Sequence, residues 1–403
     1  MNGETMHITV RDRLKSATSL WSRDLLILAV SVFMASLGQG LLGGVSTNFF
    51  VDVLGLSGKQ VLWLAGIREI PGLSLMFIAA LIMRWPLSRR AALALMLMGV
   101  GYGLYVLVHS YAALLATALL ASLGFHNWMP LQSTLGLALT RKEDSGRVLG
   151  SLASVGSLAT IVGMGVTALL ATTLSLRSFY VLGGVVIAIG GLLIFRIPAN
   201  VGRGMEAQPR LILKWRYWLY YVLIFFEGSR MQVFGTFGTL ILVQNYGLNA
   251  RQVSLLLIAS GIVNLFFAPR LGRLLDVVGE RIVLSASYVA LAFCFVGYAT
   301  VHNVWFLGCM LIAINLLVTL RIGLSTYVNR IAPPEELAPT LSAGVSINHI
   351  TSVSMSLLAG VLLSIVGYEW LCWGAAGVIL LSTPFALAIK VDAPPALQPQ
   401  RSP

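Results

Sequence analysis

Glu227 and Arg230 stand three residues apart in the apolar stretch Tyr217 to Val243, whose middle reads Phe225-Phe226-Glu227-Gly228-Ser229-Arg230-Met231-Gln232. Lys214 and Arg216 precede it. From Arg216 to Glu227 is eleven residues, which as helix carries Glu227 about 16 Å inward, close to the midplane of a ~30 Å hydrocarbon core. Three-residue spacing puts both charges on one helix face, where each offsets the other's cost of leaving water. A guanidinium keeps its charge when desolvated and holds a carboxylate or phosphate with paired hydrogen bonds, so Arg230 is the first candidate anion anchor. Glu227 is the leading protonation site: a substrate that takes Arg230 leaves Glu227 without its partner and ready to bind a proton. The competing reading is a permanent structural ion pair.

Other polar groups fall inside apolar runs. Arg321 is a second anion anchor or part of a gate, because its position places it towards one end of its run. Arg68 and Glu69 are adjacent, about 100° apart on a helix, and so face different ways. His126, Asn127, Gln132, Gln39, Asn348 and Gln232 can donate or accept hydrogen bonds to a polar solute, and each can equally join two helices. Glu69 and His349 join Glu227 as candidate proton carriers, while a lone membrane histidine is also a common packing residue. Five basic or titratable-basic groups (Arg68, Arg230, Arg321, His126, His349) against two acids (Glu69, Glu227) favour an anionic or zwitterionic small molecule.

These residues need a membrane to be buried in. Of the 403 residues 57% are hydrophobic and only 10% charged, and the mean hydropathy is +0.86; a soluble domain carries about 25% charged residues. Apolar runs of about 20 residues exclude barrel strands, so the spans are helices. Twelve fit, over 25–49, 59–83, 89–108, 111–139, 147–172, 178–196, 217–243, 252–270, 281–301, 304–329, 338–365 and 370–390. The net charge of +12 raises nucleic acid as a partner, but its distribution removes it. Of 27 Lys and Arg, three (Lys59, Arg177, Arg251) lie in turns after odd spans and three (Arg68, Arg230, Arg321) inside spans; the other 21 share the side of both termini. The positive-inside rule then places both termini in the cytoplasm, in the inner membrane if the source is bacterial. Cys294, Cys309 and Cys372 fall in apolar runs with no metal or redox spacing.

The chain repeats itself. Gly55-Leu56-Ser57-Gly58-Lys59-Gln60-Val61 aligns with Gly247-Leu248-Asn249-Ala250-Arg251-Gln252-Val253 at a shift of 192 residues, and the same shift carries Arg89 onto Arg281 and Ser133-Thr134 onto Ser325-Thr326. This reads as a parallel six-plus-six duplication: a bundle over 1–197, a cytoplasmic linker over 198–215 and a second bundle over 216–403. The polar groups are not duplicated. Glu227 corresponds to Ala35, Arg230 to Gly38 and Arg321 to Met129, so a central cavity would be lined asymmetrically.

Between spans 8 and 9 stands Gly272-Arg273-Leu274-Leu275-Asp276-Val277-Val278-Gly279-Glu280-Arg281, which resembles the Gly-x-Leu-x-Asp-x-x-Gly-x-Arg loop of the major facilitator superfamily. The resemblance extends over nearly the whole chain. It implies an all-α membrane protein of twelve transmembrane helices in two six-helix bundles, with spans 1, 4, 7 and 10 lining the cavity. It also implies gate roles for Asp276, Arg281, Gly272 and Gly279. The first-half copy, Ala80 to Arg89, has Arg84 where the acid belongs and keeps only Arg89.

The expected function is secondary active transport of a small polar solute, an organic anion or zwitterion, by alternating access with proton coupling. Alternatives are an efflux pump for amphipathic compounds and a non-transporting receptor or lipid flippase on the same scaffold. No nucleotide loop, metal cluster or nucleophile arrangement points to an enzyme, and no cofactor is expected. The expected partners are the substrate, protons and the lipid bilayer, with the protein a monomer.

Overall fold

The computed structural model describes residues 21–74, 78, 81–82, 84–202 and 213–390. The side chains of Gln232 and Phe234, much of the expected linker and part of span 2 fall outside the described residues.

Every regular element among the described residues is helical. In chain order these are α1 (Arg23–Asn48), α2 (Gly58–Ile67), α3 (Ile70–Leu73), α4 (Leu87–Gly103), α5 (Tyr111–Ala138), α6 (Ser145–Leu170) and α7 (Leu176–Ile194). There follow α8 (Trp218–Gln232), α9 (Gly238–Gln244), α10 (Ala250–Val278), α11 (Glu280–Thr300), α12 (Val304–Val318), α13 (Ile322–Ile331) and α14 (Pro334–Leu387). Among the described residues nine helical segments are long and apolar enough to cross a membrane. One, α14, is interrupted at Gly367, whose φ of +81° only glycine adopts easily, so it turns there instead of running on. The protein is an all-α, multi-spanning membrane protein.

Several expected boundaries move. Span 2 is broken at Arg68 and Glu69, span 7 carries a π-helical turn over Val233–Phe237, and span 10 narrows to a 3-10 turn over Thr319–Arg321. Span 8 runs on through Val278, so most of the motif read as a loop is helix and Gly279, at φ +89°, makes the turn alone.

The nearly uncharged turns share one device. Ser57, Ser110, Ser175, Asn249 and Asn303 each cap the helix that follows by accepting a backbone N–H. Such caps contribute about 1 kcal/mol each. Two of them repeat the 192-residue shift in detail. Ser57 with Gln60 and Asn249 with Gln252 both form reciprocal capping boxes, and the preceding Gly55 and Gly247 have φ of +63° and +67°. The bond from Leu56 N–H to the Phe50 carbonyl (2.9 Å) recurs as Leu248 to Leu242 (3.1 Å).

The chain divides into two compact units, Met1–Val45 with Ser74–Glu206, and Ser46–Leu73 with Ala207–Pro403. In the first, glycines let backbones touch: a Cβ at Gly124 would collide with the Met98 nitrogen, and one at Gly101 with the Ala121 nitrogen. Helices α4 and α7 are fastened at both ends. Arg177, near the start of α7, donates to the carbonyls of Val106 and Val108 at 2.8 Å each; Arg89, near the start of α4, donates to the Phe195 carbonyl at 2.7 Å and lies over its ring. In this way each helix supplies an arginine to carbonyls left open at the other's end.

In the second unit, α2 lies along α14. Trp63 Nε1 donates to the Leu357 carbonyl at 3.0 Å, and a Cβ at Gly66 or Gly360 would press on Ser356 or Trp63. Thr47 donates to Thr239 at 3.2 Å, and Asn48 Nδ2 to the Leu248 carbonyl at 2.8 Å. Where the second half begins, Glu336 accepts from Lys214 (2.7 Å), Arg216 and Tyr217 (2.8 Å), tying the end of the linker to the start of α14.

Candidate functional site

Span 7 brings its two charges together as their spacing requires. Arg230 Nε and Nη2 donate to Glu227 Oε2 at 3.0 and 2.5 Å, and the two residues are 6% and 5% exposed. Gly228, between them, makes this possible: its face lies against the Asn348 carbonyl of α14, where a Cβ would not fit, so α8 approaches α14 closely. Tyr288 of α11, which the sequence did not single out, closes the other side. The guanidinium carbon lies 4.0 Å from the centre of its ring, a cation-π contact in a desolvated place. Arg230 Nη1 and the Tyr288 hydroxyl are buried and make no hydrogen bond among the described residues.

Glu69 meets His349: His349 Nδ1 lies 2.9 Å from Glu69 Oε2, joining the break in span 2 to α14. Arg68 is half-buried. Asn348 is half-buried beside them in sequence. Asn315, on span 10, donates to Ser260 at 3.2 Å and so joins two helices.

In the first unit several candidates make hydrogen bonds to their own helix. His126 Nδ1 is 3.0 Å from both the hydroxyl and the carbonyl of Ser122, and Asn127 Nδ2 donates to the Leu123 carbonyl at 2.8 Å. Gln39 makes a long bond, 3.5 Å, to the Ala35 carbonyl, and Gln132 is half-buried.

Arg321 is exposed, at the end of the 3-10 turn that divides span 10. The motif residues are distributed differently from expectation. Gly272 and Asp276 lie within α10 and Arg281 within α11; Asp276 and Arg281 are exposed, and Asp276 occupies a helix C-terminus. The acid at a helix N-terminus, where an anion is favoured, is Glu280, 2% exposed and paired with Arg330 at 2.9 Å.

One pattern unites the charged residues of spans 2, 7 and 10. Arg68 and Glu69 occupy the break between α2 and α3, Arg230 stands three residues before the π-helical turn, and Arg321 ends the 3-10 turn. Departures from α geometry expose backbone carbonyls and N–H groups to neighbours, and in membrane helices they are tolerated only in protein or beside water.

A model of the Major Facilitator Superfamily matches residues 28–226 and 219–403. No curated protein sequence matches the chain significantly. Among solved structures, the nucleoside transporter NupG aligns with a TM-score of 0.76 at 15% identity, covering 91% of this chain and 99% of that one. A bacterial homologue of the human lysosomal transporter Spinster, inward-facing and unoccupied, gives 0.73 at 11% identity over 90% and 95%. A D-xylose-proton symporter gives 0.71 at 13% identity over 91% and 97%. With the family model covering nearly the whole described chain, this protein belongs to the Major Facilitator Superfamily, a family of secondary transporters and not of enzymes.

Proposed function

We infer that this protein moves a small organic anion or zwitterion across the membrane by alternating access, coupled to protons. The observation that carries this reading is the coincidence of charge and helix irregularity in spans 2, 7 and 10. Transporter sites are typically built where membrane helices are interrupted, because open backbone groups and charges can there serve a solute. The path crosses the membrane twelve times in two halves, 1–197 and 216–403, with both termini cytoplasmic. That count takes the nine long segments, divides α14 at Gly367, and adds spans 2 and 7, each made of shorter pieces.

In the proposed cycle Arg230 is offered to the anion and Glu227 to the proton, with Arg321 as the second basic contact and Glu69 with His349 as a further proton-carrying pair. The Arg230 donor that Glu227 leaves unused, Nη1, lies in a site closed by Tyr288, which supports further hydrogen bonding there. Fold relatives described as the human organic anion transporter MFSD10 and as a D-xylose-proton symporter are compatible with this chemistry. Asp276, Arg281, Gly272 and Gly279 are proposed for the cytoplasmic gate.

The near-complete burial of Glu227 and Arg230 against Tyr288 favours a second reading, in which the pair is permanent and the solute is a neutral polar molecule. Flux in proteoliposomes separates them. In the first reading Glu227→Gln keeps substrate counterflow and loses uphill uptake driven by a pH gradient; loss of both overturns it. A thermal-shift screen of small carboxylates, repeated with Arg230→Ala, identifies ligands whose stabilisation depends on the guanidinium.

A further inference from the structure

Glu280 is a buried carboxylate that the proposed cycle does not use. It begins α11, immediately after the turn at Gly279, and its partner Arg330 lies at the far end of α13, nine residues after Arg321. The pair is an ion contact at 2.9 Å in a geometry too bent for a hydrogen bond. The near end of the same half-helix is held by packing. Leu320, beside Arg321, joins Leu275 and Val283 in a buried cluster flanked by Leu271 and Leu317, and Gly323 leaves just enough room for Leu275 and Leu284. The short helix that starts at Arg321 is thus gripped at both ends by the turn between α10 and α11. Removing Arg330 would leave the buried Glu280 carboxylate without its counter-charge, so this grip is not easily exchanged for another.

We propose that Glu280 is the positioning residue for Arg321: through Arg330 it fixes the inner half of span 10 so that the Arg321 guanidinium is presented to an anionic solute. This rests on the reading of Arg321 as a basic substrate contact. It gives the motif turn a second task besides gating, and it explains why a buried acid stands between Gly279 and Arg281.

The test needs no identified substrate. Ser325 is exposed and lies four residues after Arg321, on the same face. Ser325→Cys, in a chain whose exposed native cysteine is removed as Cys309→Ser, is labelled with an anionic sulfonate thiol reagent and with a cationic trimethylammonium one. A guanidinium one helical turn away speeds the anionic reagent relative to the cationic one, by about five-fold. Glu280→Gln is expected to reduce that ratio to about one while the protein still elutes as a single species, and the exchange Glu280→Arg with Arg330→Glu to restore it. If Glu280→Gln does not yield folded protein, Arg330→Gln is measured with the same expectation. A ratio unchanged in the Glu280 or Arg330 variants, while Arg321→Gln abolishes it, overturns the positioning role alone. A ratio unchanged in Arg321→Gln overturns the reading of Arg321 and this inference with it.

Discussion

Thr47 and Thr239 are the same position in the two repeats, 192 residues apart, and their hydroxyls meet at 3.2 Å. Thr47 stands at the end of span 1 and Thr239 towards the end of span 7, so the contact ties these two span ends together. The arrangement is not perfectly symmetric. Asn48 adds a bond to the Leu248 carbonyl, whereas its counterpart, Leu240, has no polar group to offer.

If a solute enters between these ends, they must part. A disulfide formed between Thr47→Cys and Thr239→Cys is therefore expected to abolish transport in proteoliposomes, with recovery on reduction. Full transport with the cross-link in place would show that these ends stay together throughout the cycle.

Gly124 packs against the backbone of α4 at Met98 and Ala94. Gly124→Val forces two helices apart and is expected to cost about 1–3 kcal/mol, the range for overpacking. Thermal unfolding in detergent reads this as a lowered midpoint, while Gly103→Ala, where nothing lies within 4 Å, should change it little.

Arg177 satisfies the carbonyls of Val106 and Val108, and Arg177→Gln is expected to lower stability by about 1–3 kcal/mol, since hydrogen bonds from a charged donor are lost. Arg177→Lys should recover part of it, because an ammonium still donates but lacks the planar fork. The same unfolding measurement decides.

The Glu227 and Arg230 pair can be probed by removing one or both charges. Glu227→Leu alone leaves a buried cation and should destabilise by about 3–5 kcal/mol, whereas Glu227→Leu with Arg230→Met should regain most of that stability. Under the proposed function the double variant is folded but inactive; a double variant that still transports assigns the pair to structure alone.

Much of this was written in the apolar pattern and the charges. Spacing alone paired Glu227 with Arg230, because a helix repeats every 3.6 residues whatever surrounds it. The 192-residue shift also held the Thr47 and Thr239 match, but two threonines in apolar runs carry no signal until the chain is folded. Tyr288 and Glu280 were invisible for a related reason. A tyrosine in an apolar run reads as packing, and a carboxylate within a charged motif reads as surface. The break in span 2 has a mark in Pro71, which follows Glu69 closely and removes a backbone donor, whereas no proline stands near Thr319 to mark the one in span 10.

The two arginine caps have one more consequence. Arg89 and the Val106 carbonyl are seventeen residues apart along α4 and the turn that follows it, about 26 Å of helix, close to the height of a bilayer's oily layer. Because each end of α4 and α7 is riveted to the other helix by a guanidinium that prefers the polar boundary, the two cannot slide past one another to suit a thicker membrane. The pair acts as a fixed measuring rod, and lipids whose chains are too long or too short must adapt to the protein.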